Sequence, residues 1–310
     1  MSALLGTRAR AVVLVLVLPA LGQGSEPFRL VVGYSRSAVQ DVYVEDGKRV
    51  VKAMIGGYLA AAEARLQAEL ITFEDNAQLK EAVTHKRVDL VGAASNQIVD
   101  MARGGAIEPA MVTEMSGGVY DDAVLLVKKD AGIVNLGDLR GKRLMTLEGA
   151  AMGHHYLWLE TWALREEHGV VGSLFGSVRE GRTSSQVILA CFFASADACL
   201  VPRGGFDLAR ELNPQIAERL RILGNSAGLI GAIVAFRSDY DPVARAHLIQ
   251  LMAHLEEDTR GKQILNLFRR TRLVLFKPGY LVGIAELVAE HDRLLNVTGQ
   301  VYQSPKGSPR

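Results

Sequence analysis

The stretch Asn135–Gly149, with the sequence NLGDLRGKRLMTLEG, contains a capped turn, a short apolar strand and a loop of small residues. The chain after the loop is predicted to be helical. A helix N-terminus offers unpaired N–H groups and the positive end of the helix dipole to an anion. The stretch therefore predicts a strand–loop–helix unit whose loop is a candidate ligand site.

Strands and helices alternate on both sides of this stretch, which is the pattern of parallel sheets covered by helices. Strands are predicted at 28–34, 68–73, 88–93, 110–114, 123–128, 142–147, 170–175, 198–201, 219–223 and 230–236. Apolar residues at helical spacing from Val50 to Leu66 predict an amphipathic helix. Further helices are predicted after Asp75, after Ser95, at 152–167, 184–193 and 205–212, and from Pro242 onward. The sequence therefore predicts an α/β protein.

The N-terminus has the features of a secretory signal peptide over residues 1–22. Arg8 and Arg10 are basic, and the following apolar run of about eleven residues is too short to span a bilayer. A buried N-terminal strand or helix is the alternative. Since no cysteine precedes Cys191, no lipid anchor is expected, and the mature chain is predicted to be soluble in the periplasm.

The remaining 288 residues, 310 less 22, exceed one ordinary core and predict two lobes. Loss of the two arginines changes the net charge from +1 to −1, which disfavours nucleic acid as a partner. Cys191 and Cys199 either form a disulfide or pack as free thiols in apolar surroundings. The polar tail, residues 303–310, is predicted to be disordered.

Several segments, in order along the chain, resemble the phosphate/phosphonate-type substrate-binding proteins of ABC transporters. The segments are Asp41–Asp46, Val88–Gly92, Tyr120–Gly132, Leu136–Leu144, Ala196–Val201, Glu211–Gln215 and Leu220–Leu223. The resemblance implies a type II periplasmic binding fold, with two lobes that each contain a mixed sheet flanked by helices. Two crossover strands, at about 114–126 and 225–236, would join lobe 1 (23–115 and 230–302) to lobe 2 (116–229).

Ligands in open α/β sheets bind beyond the carboxyl ends of the strands. This rule selects the ligand-binding candidates Tyr34, Ser35, Arg36, Ser95, Asn96, Gly149, Ala150, Ala151, Met152, His154 and Arg203, with Tyr120 near the first crossover. Purely structural roles remain open for these residues, because Ser and Asn commonly cap helices and arginines are common surface charges. His154 and His155 are adjacent, and adjacent helical residues point about 100° apart, so no metal site is predicted.

The resemblance implies an exported, monomeric solute-binding protein that captures a small anionic ligand for an ABC permease in the inner membrane. Phosphate-, phosphite- or phosphonate-like molecules and organic acids are the candidate ligands. Family members that bind phosphonates use a Ser/Thr-rich loop, whereas the matching loop here has no hydroxyl until Tyr156. Backbone N–H groups and histidine are the remaining donors.

Two other functions are open at this point. The same fold could act as a periplasmic sensor for a membrane receptor or kinase, or as an enzyme. No phosphate-binding P-loop, Gly-x-Gly-x-x-Gly or Gly-x-Ser-x-Gly motif occurs. The sequence therefore predicts a binding protein without a cofactor rather than an enzyme.

Overall fold

The computed structural model describes residues 28–35, 56–57, 66–73, 76–115, 118–149 and 153–298. Several sequence predictions lie outside these residues: the signal peptide, most of the amphipathic helix from Val50 to Leu66, the segment Asp41–Asp46 and the polar tail. Four candidate site residues also lie outside them, namely Arg36, Ala150, Ala151 and Met152.

The strands of the described residues form two sheets, here called sheet A and sheet B. Sheet A has the order β11-β4-β10-β3-β1-β2, and sheet B has the order β7-β6-β8-β5-β9. The strands are β1 (Phe28–Ser35), β2 (Leu66–Phe73), β3 (Leu90–Ala94), β4 (Ile107–Glu114), β5 (Ala123–Lys128), β6 (Arg143–Leu147), β7 (Ser177–Gly181), β8 (Ala198–Pro202), β9 (Leu220–Asn225), β10 (Ala232–Arg237) and β11 (Arg272–Leu275).

Both sheets are mixed. In sheet A, β1 is parallel to β2 and β3, whereas β10 is antiparallel to β3 and β4. In sheet B, β6 is parallel to β7 and β8, whereas β5 is antiparallel to β8 and β9. All residues of β5 except Lys128 are buried, because this strand is central and covered on both faces.

Helices cover both faces of each sheet. They are α1 (Asn76–Thr84), α2 (Ser95–Arg103), α3 (His154–Arg165), α4 (Val171–Leu174), α5 (Ser184–Phe192), α6 (Arg203–Leu212), α7 (Pro214–Arg219), α8 (Pro242–Ala253), α9 (Thr259–Leu267) and α10 (Val282–Thr298). On sheet A, α1 and α2 pack on the face that carries Val91 and Ile233, and α8 packs on the face that carries Leu30 and Phe236. On sheet B, α3 covers one face, and α5 and α6 cover the other.

The stretch Asn135–Gly149 folds as the sequence predicts. Asp138 Oδ2 accepts from the backbone N–H groups of Val134 and Asn135, and Asn135 Oδ1 accepts from the N–H of Asp138. This closed turn leads into β6. Gly149 ends the strand with a φ of 74°, a conformation that favours glycine, and the chain then continues toward α3.

The strand predicted at 170–175 is wrong. Residues 170–175 contain the helix α4 rather than a strand, and the strand of this region, β7, begins at Ser177. Val171 and Leu174 are both buried in the core below α3, and a helical turn places residues at this spacing on one side. The strand predicted at 230–236 is present as β10, which begins at Ala232, and Ile230 makes an isolated bridge to Tyr120.

Cys191 and Cys199 are both buried and free. The Cys191 Sγ lies 3.8 Å from the backbone oxygens of Leu126 and Asp197. Burial raises the pKa of Cys199, so its thiol is protonated at neutral pH. The sequence leaves open a disulfide or two packed free thiols, and this structure has the free thiols.

Two segments lie between the sheets, residues 118–122 and residues 226–231; we call them crossing segment 1 and crossing segment 2. They contact each other through the antiparallel bridge between Tyr120 and Ile230. The Asp121 N–H also donates to the Leu229 oxygen at 2.7 Å. Among the helices described, none is long and apolar enough to cross a membrane.

Candidate functional site

The two crossing segments form the centre of the candidate site, because the first residues of one helix from each sheet are bonded to them. The helix α2 follows β3 of sheet A, and the helix α3 follows β6 of sheet B. Both helix N-termini therefore lie at the carboxyl end of a strand, where α/β proteins bind ligands.

Ser95 joins α2 to crossing segment 2. Its hydroxyl donates to the Ile230 oxygen at 2.7 Å, and its backbone N–H donates to the Gly231 oxygen at 3.2 Å. The N-cap of α2 is Ala94, whose N–H is bound by the side chain of Gln97. Ser95 is therefore not the cap that its residue type favours, and its hydroxyl proton is already donated.

His154 and His155 join α3 to crossing segment 1. Their Nε2 atoms lie 3.1 Å and 2.8 Å from the Asp121 backbone oxygen. The same atoms lie 3.6 Å and 3.5 Å from the Asp121 carboxylate oxygens Oδ2 and Oδ1. The expectation that adjacent histidines diverge is wrong here, because both rings turn toward one residue and their centroids are 4.1 Å apart.

The cluster of Asp121, His154 and His155 is buried and strongly polarised. Burial alone would raise the pKa of Asp121, but His155, His154 and Arg270 lower it overall. Burial and the charge of His155 lower the pKa of His154 to about 3. Burial opposes protonation of His155 as well, yet the carboxylate of Asp121 raises the pKa of this histidine overall. At neutral pH, Asp121 is therefore ionised and His154 is neutral.

Gly231 allows crossing segment 2 to approach this cluster. A Cβ atom at this position would lie 3.2 Å from the Asp121 Oδ2. That separation is tighter than ordinary van der Waals contact, so a side chain here would press on the carboxylate.

Arg270 connects the cluster to the sheet A side of the site. Its charge acts on both Asp121 and His154. It also lines a cavity of about 190 Å³ together with Tyr34 and Thr113. The remainder of the cavity lining is apolar and comes from sheet A, α8 and α9. Because Arg270 lies between α9 and β11 and does not follow the carboxyl end of a strand, the rule used on the sequence did not select it.

The other predicted residues have different surroundings. Tyr120 is 54% exposed at the bridge between the crossing segments, and Ser35 is fully buried at the end of β1. The N–H of Gly149 donates to Glu180 Oε1 at 3.3 Å, so this donor faces a carboxylate. The N–H of Arg203 donates to the Asp122 oxygen at 2.7 Å, which places the start of α6 next to crossing segment 1.

The structure thus brings Ser95, Tyr120, His154 and the backbone of Arg203 to the crossing segments. Tyr34 lies at the cavity that Arg270 shares, and Asn96 is half-buried in the first turn of α2. Sequence reasoning missed Asp121, Gly231 and Arg270. No local pattern marks these residues, since only the chain path between the sheets gives them their position.

A model of the family described as "ABC transporter, phosphonate, periplasmic substrate-binding protein" matches residues 55–278. The chain belongs to this family. The resemblance recognised in the sequence is therefore confirmed. The family consists of periplasmic substrate-binding proteins of ABC transporters, whose partners are a small-molecule ligand and a permease.

Solved structures of similar fold include three transport proteins. PA3383 from Pseudomonas aeruginosa, a binding protein component of an ABC phosphonate transporter, is 13% identical, with a TM-score of 0.65 and 91% of each chain covered. PhnD1 from Prochlorococcus marinus, in complex with methylphosphonate, is 14% identical, with a TM-score of 0.61, 89% of this chain covered and 100% of that chain. The periplasmic aliphatic sulphonate binding protein SsuA from Escherichia coli is 15% identical, with a TM-score of 0.52, 92% of this chain covered and 95% of that chain.

At these identities the likeness concerns the fold, and it confirms the predicted type II periplasmic binding fold. A comparison with curated proteins gives no match.

Proposed function

We propose that this substrate-binding protein captures a small, singly charged oxyanion in a cleft between two lobes and delivers it to its permease. The proposed lobes are those expected from the sequence, residues 23–115 with 230–302 and residues 116–229. The sheets support this division, because sheet A takes its strands from residues 28–114 and 232–275 and sheet B from residues 123–225.

The observation that carries the proposal is the meeting of two helix N-termini, one from each sheet, at the same pair of crossing segments. Ser95 of α2 is bonded to Ile230, and His154 of α3 is bonded to Asp121. Helix N-termini favour anions through their N–H groups and dipole. An anion held by both would draw the lobes together, since contacts from each lobe stabilise the closed form.

The donors near the crossing segments favour a singly charged ligand. The Ser95 hydroxyl and the Gly149 N–H already donate to protein oxygens, and the loop after Gly149 has no hydroxyl before Tyr156. Arg270, from proposed lobe 1, is a cation whose charge acts on Asp121 and His154. A doubly charged phosphate needs more charge-assisted donors than these, whereas a sulfonate, a carboxylate or a phosphonate monoanion needs fewer.

The remaining parts of the proposal follow from the sequence. Residues 1–22 would direct export and be removed, and no lipid anchor would hold the mature protein, which would act as a soluble monomer. Its net charge of −1 gives no reason to expect nucleic acid as a partner.

The test is a thermal-shift screen of the purified protein, followed by calorimetry. Methanesulfonate, acetate and methylphosphonate are compared with sulfate and phosphate. We expect at least one of the first three to raise the melting temperature, because a ligand at 100 times its Kd stabilises the native state by about 2.7 kcal/mol. No shift with any of the first three, or a larger shift with sulfate, which is doubly charged throughout the neutral range, would contradict the proposal.

Two neighbouring arginines provide the matched variants. Arg270→Gln removes the cation beside Asp121 and should weaken binding of the identified anion at least tenfold. Arg269→Gln removes an exposed arginine and should leave the affinity unchanged. Equal weakening by both variants would indicate a general charge effect rather than a site.

A further inference from the structure

We propose that Asp121, His154 and His155 form a binding site for one divalent transition-metal ion of the zinc class. Each residue offers one ligand atom, and the three atoms lie within 4.8 Å of one another. Two imidazole nitrogens and a carboxylate oxygen are a donor set that suits zinc and its neighbours in the transition series. The site does not depend on the anion of the proposed function.

The distances agree with coordination of a single ion. In a tetrahedral zinc site with bonds of about 2.0–2.1 Å, two ligand atoms are about 3.4 Å apart. The His154 Nε2 lies 3.6 Å from Asp121 Oδ2, and the His155 Nε2 lies 3.5 Å from Asp121 Oδ1. Shifts of a few tenths of an ångström would bring these atoms to coordination spacing.

The Asp121 backbone oxygen is a further donor, at 3.1 Å and 2.8 Å from the two Nε2 atoms. Five atoms with electron pairs therefore face one another: two nitrogens, two carboxylate oxygens and one carbonyl oxygen. At most one proton on each Nε2 can lie between them. A divalent cation could replace these protons and contact one atom from each of the three residues at once.

The cluster is also rigid and dry, as a preorganised metal site requires. Asp121, His154 and His155 are 7%, 6% and 4% exposed. They come from two elements, crossing segment 1 and the first turn of α3, and the N–H of Asp121 is fixed by Leu229. The buried Nδ1 of His154 has no hydrogen-bond partner among the described residues, so Nε2 is the ring nitrogen that contacts Asp121.

The plain alternative is a hydrogen-bonded anchor that holds α3 on crossing segment 1 without a metal. A Co²⁺ titration separates the two. The protein is purified without a polyhistidine tag, treated with a chelator and dialysed. We expect the visible absorption of four-coordinate Co²⁺ to saturate at one equivalent per chain and to disappear on addition of Zn²⁺. A wild-type protein that gives no such spectrum overturns the proposal.

Variants assign the bound ion to these residues. His154→Gln, His155→Gln and Asp121→Asn should each weaken Co²⁺ binding at least tenfold. A double variant, His85→Gln with His254→Gln, removes two exposed histidines and should bind as the wild type does. Far-UV circular dichroism establishes that each variant is folded. Loss of binding in the double variant with retention in His155→Gln would show adventitious surface binding and overturn the proposal.

Discussion

Asp121 contacts two parts of the candidate site through three different groups. Its N–H donates to Leu229, its carbonyl oxygen lies within hydrogen-bond distance of both histidines of α3, and its carboxylate faces the same histidines. In the sequence, Asp121 is one member of an ordinary acidic pair after Tyr120. Its role exists only because α3 begins beside crossing segment 1.

Arg143 and Asp197 form an ion pair with defined geometry at the start of β6. The Asp197 carboxylate accepts from the backbone N–H and the guanidinium of Arg143, at 2.8–3.0 Å. These hydrogen bonds lower the pKa of Asp197. We expect Asp197→Asn to reduce the free energy of unfolding by about 1–2 kcal/mol near neutral pH. Urea denaturation measures this difference.

The pH dependence of that difference has a defined sign. Because the pKa of Asp197 is lower in the folded than in the unfolded protein, the stabilisation is present above the ordinary carboxyl pKa, near about 4. It is lost as the pH falls below that value. Asp130→Asn is the control, since Asp130 is exposed and its pair with Lys128 should contribute little. Equal losses in the two variants, or a loss for Asp197→Asn that persists in acid, would contradict the expectation.

The helix α10 contacts α2, which packs on sheet A, and α3, which packs on sheet B. On α3, it contacts Glu160 through His291 and Arg165 through Glu290. On α2, Arg103 donates to the Ala285 oxygen at 3.2 Å. An apolar cluster of residues from α2, α3, α10 and crossing segment 2 fills the space between these helices.

The two side-chain contacts between α3 and α10 differ in burial. We therefore expect them to contribute unequally to the free energy of unfolding. Glu160 and His291 are 1% and 5% exposed, with 3.0 Å between Oε2 and Nε2. We expect Glu160→Ala to reduce the free energy of unfolding by about 2 kcal/mol, because it removes the buried hydrogen-bond partner of His291 Nε2. Chemical denaturation gives this value, and hydrogen exchange over residues 282–298 should show faster opening of α10.

Glu290→Ala is the matched control on the same interface. It removes the carboxylate of the more exposed pair with Arg165, and we expect a loss of no more than about 1 kcal/mol. A larger effect of Glu290→Ala than of Glu160→Ala would show that burial does not decide the strength of this interface.

The molecule as a whole consists of two sheet cores joined by two crossing segments and by α10. The proposed closure would bend the molecule between the sheets while the contacts inside each core stay unchanged. Trp158 lies at the junction, where it packs against the cluster between α2, α3 and α10 as well as the core of sheet B. Trp162 packs only within the core of sheet B, and its Nε1 donates to Glu166 at 2.6 Å.

These two residues are the only tryptophans in the chain, so tryptophan fluorescence can report ligand-induced closure. We expect binding of the anion identified by the thermal-shift screen to change tryptophan fluorescence through Trp158. Trp158→Phe should abolish most of the change, and Trp162→Phe should retain it. Retention in Trp158→Phe would mean that the junction does not move on binding.

Part of the fold could be predicted because it is encoded locally. The turn at Asn135 and Asp138, the strand β6 and the buried strand β5 all follow from side chains close in sequence. The prediction for 170–175 failed because β-branched Val170 and Val171 favour a strand, whereas burial of Val171 and Leu174 in one core requires a helical turn.

The sequence by itself determined the α/β class, the family and the strand–loop–helix unit that leads to α3, since periodicity and turn chemistry act over short distances. The tertiary structure alone decided that Ser95 donates to Ile230, that both histidines turn to Asp121, and that the charge of Arg270 acts on Asp121. These residues come from separate parts of the chain. They come together only because the backbone passes twice between the sheets. Burial at this crossing strengthens the interactions between their charges, because the local dielectric constant is low.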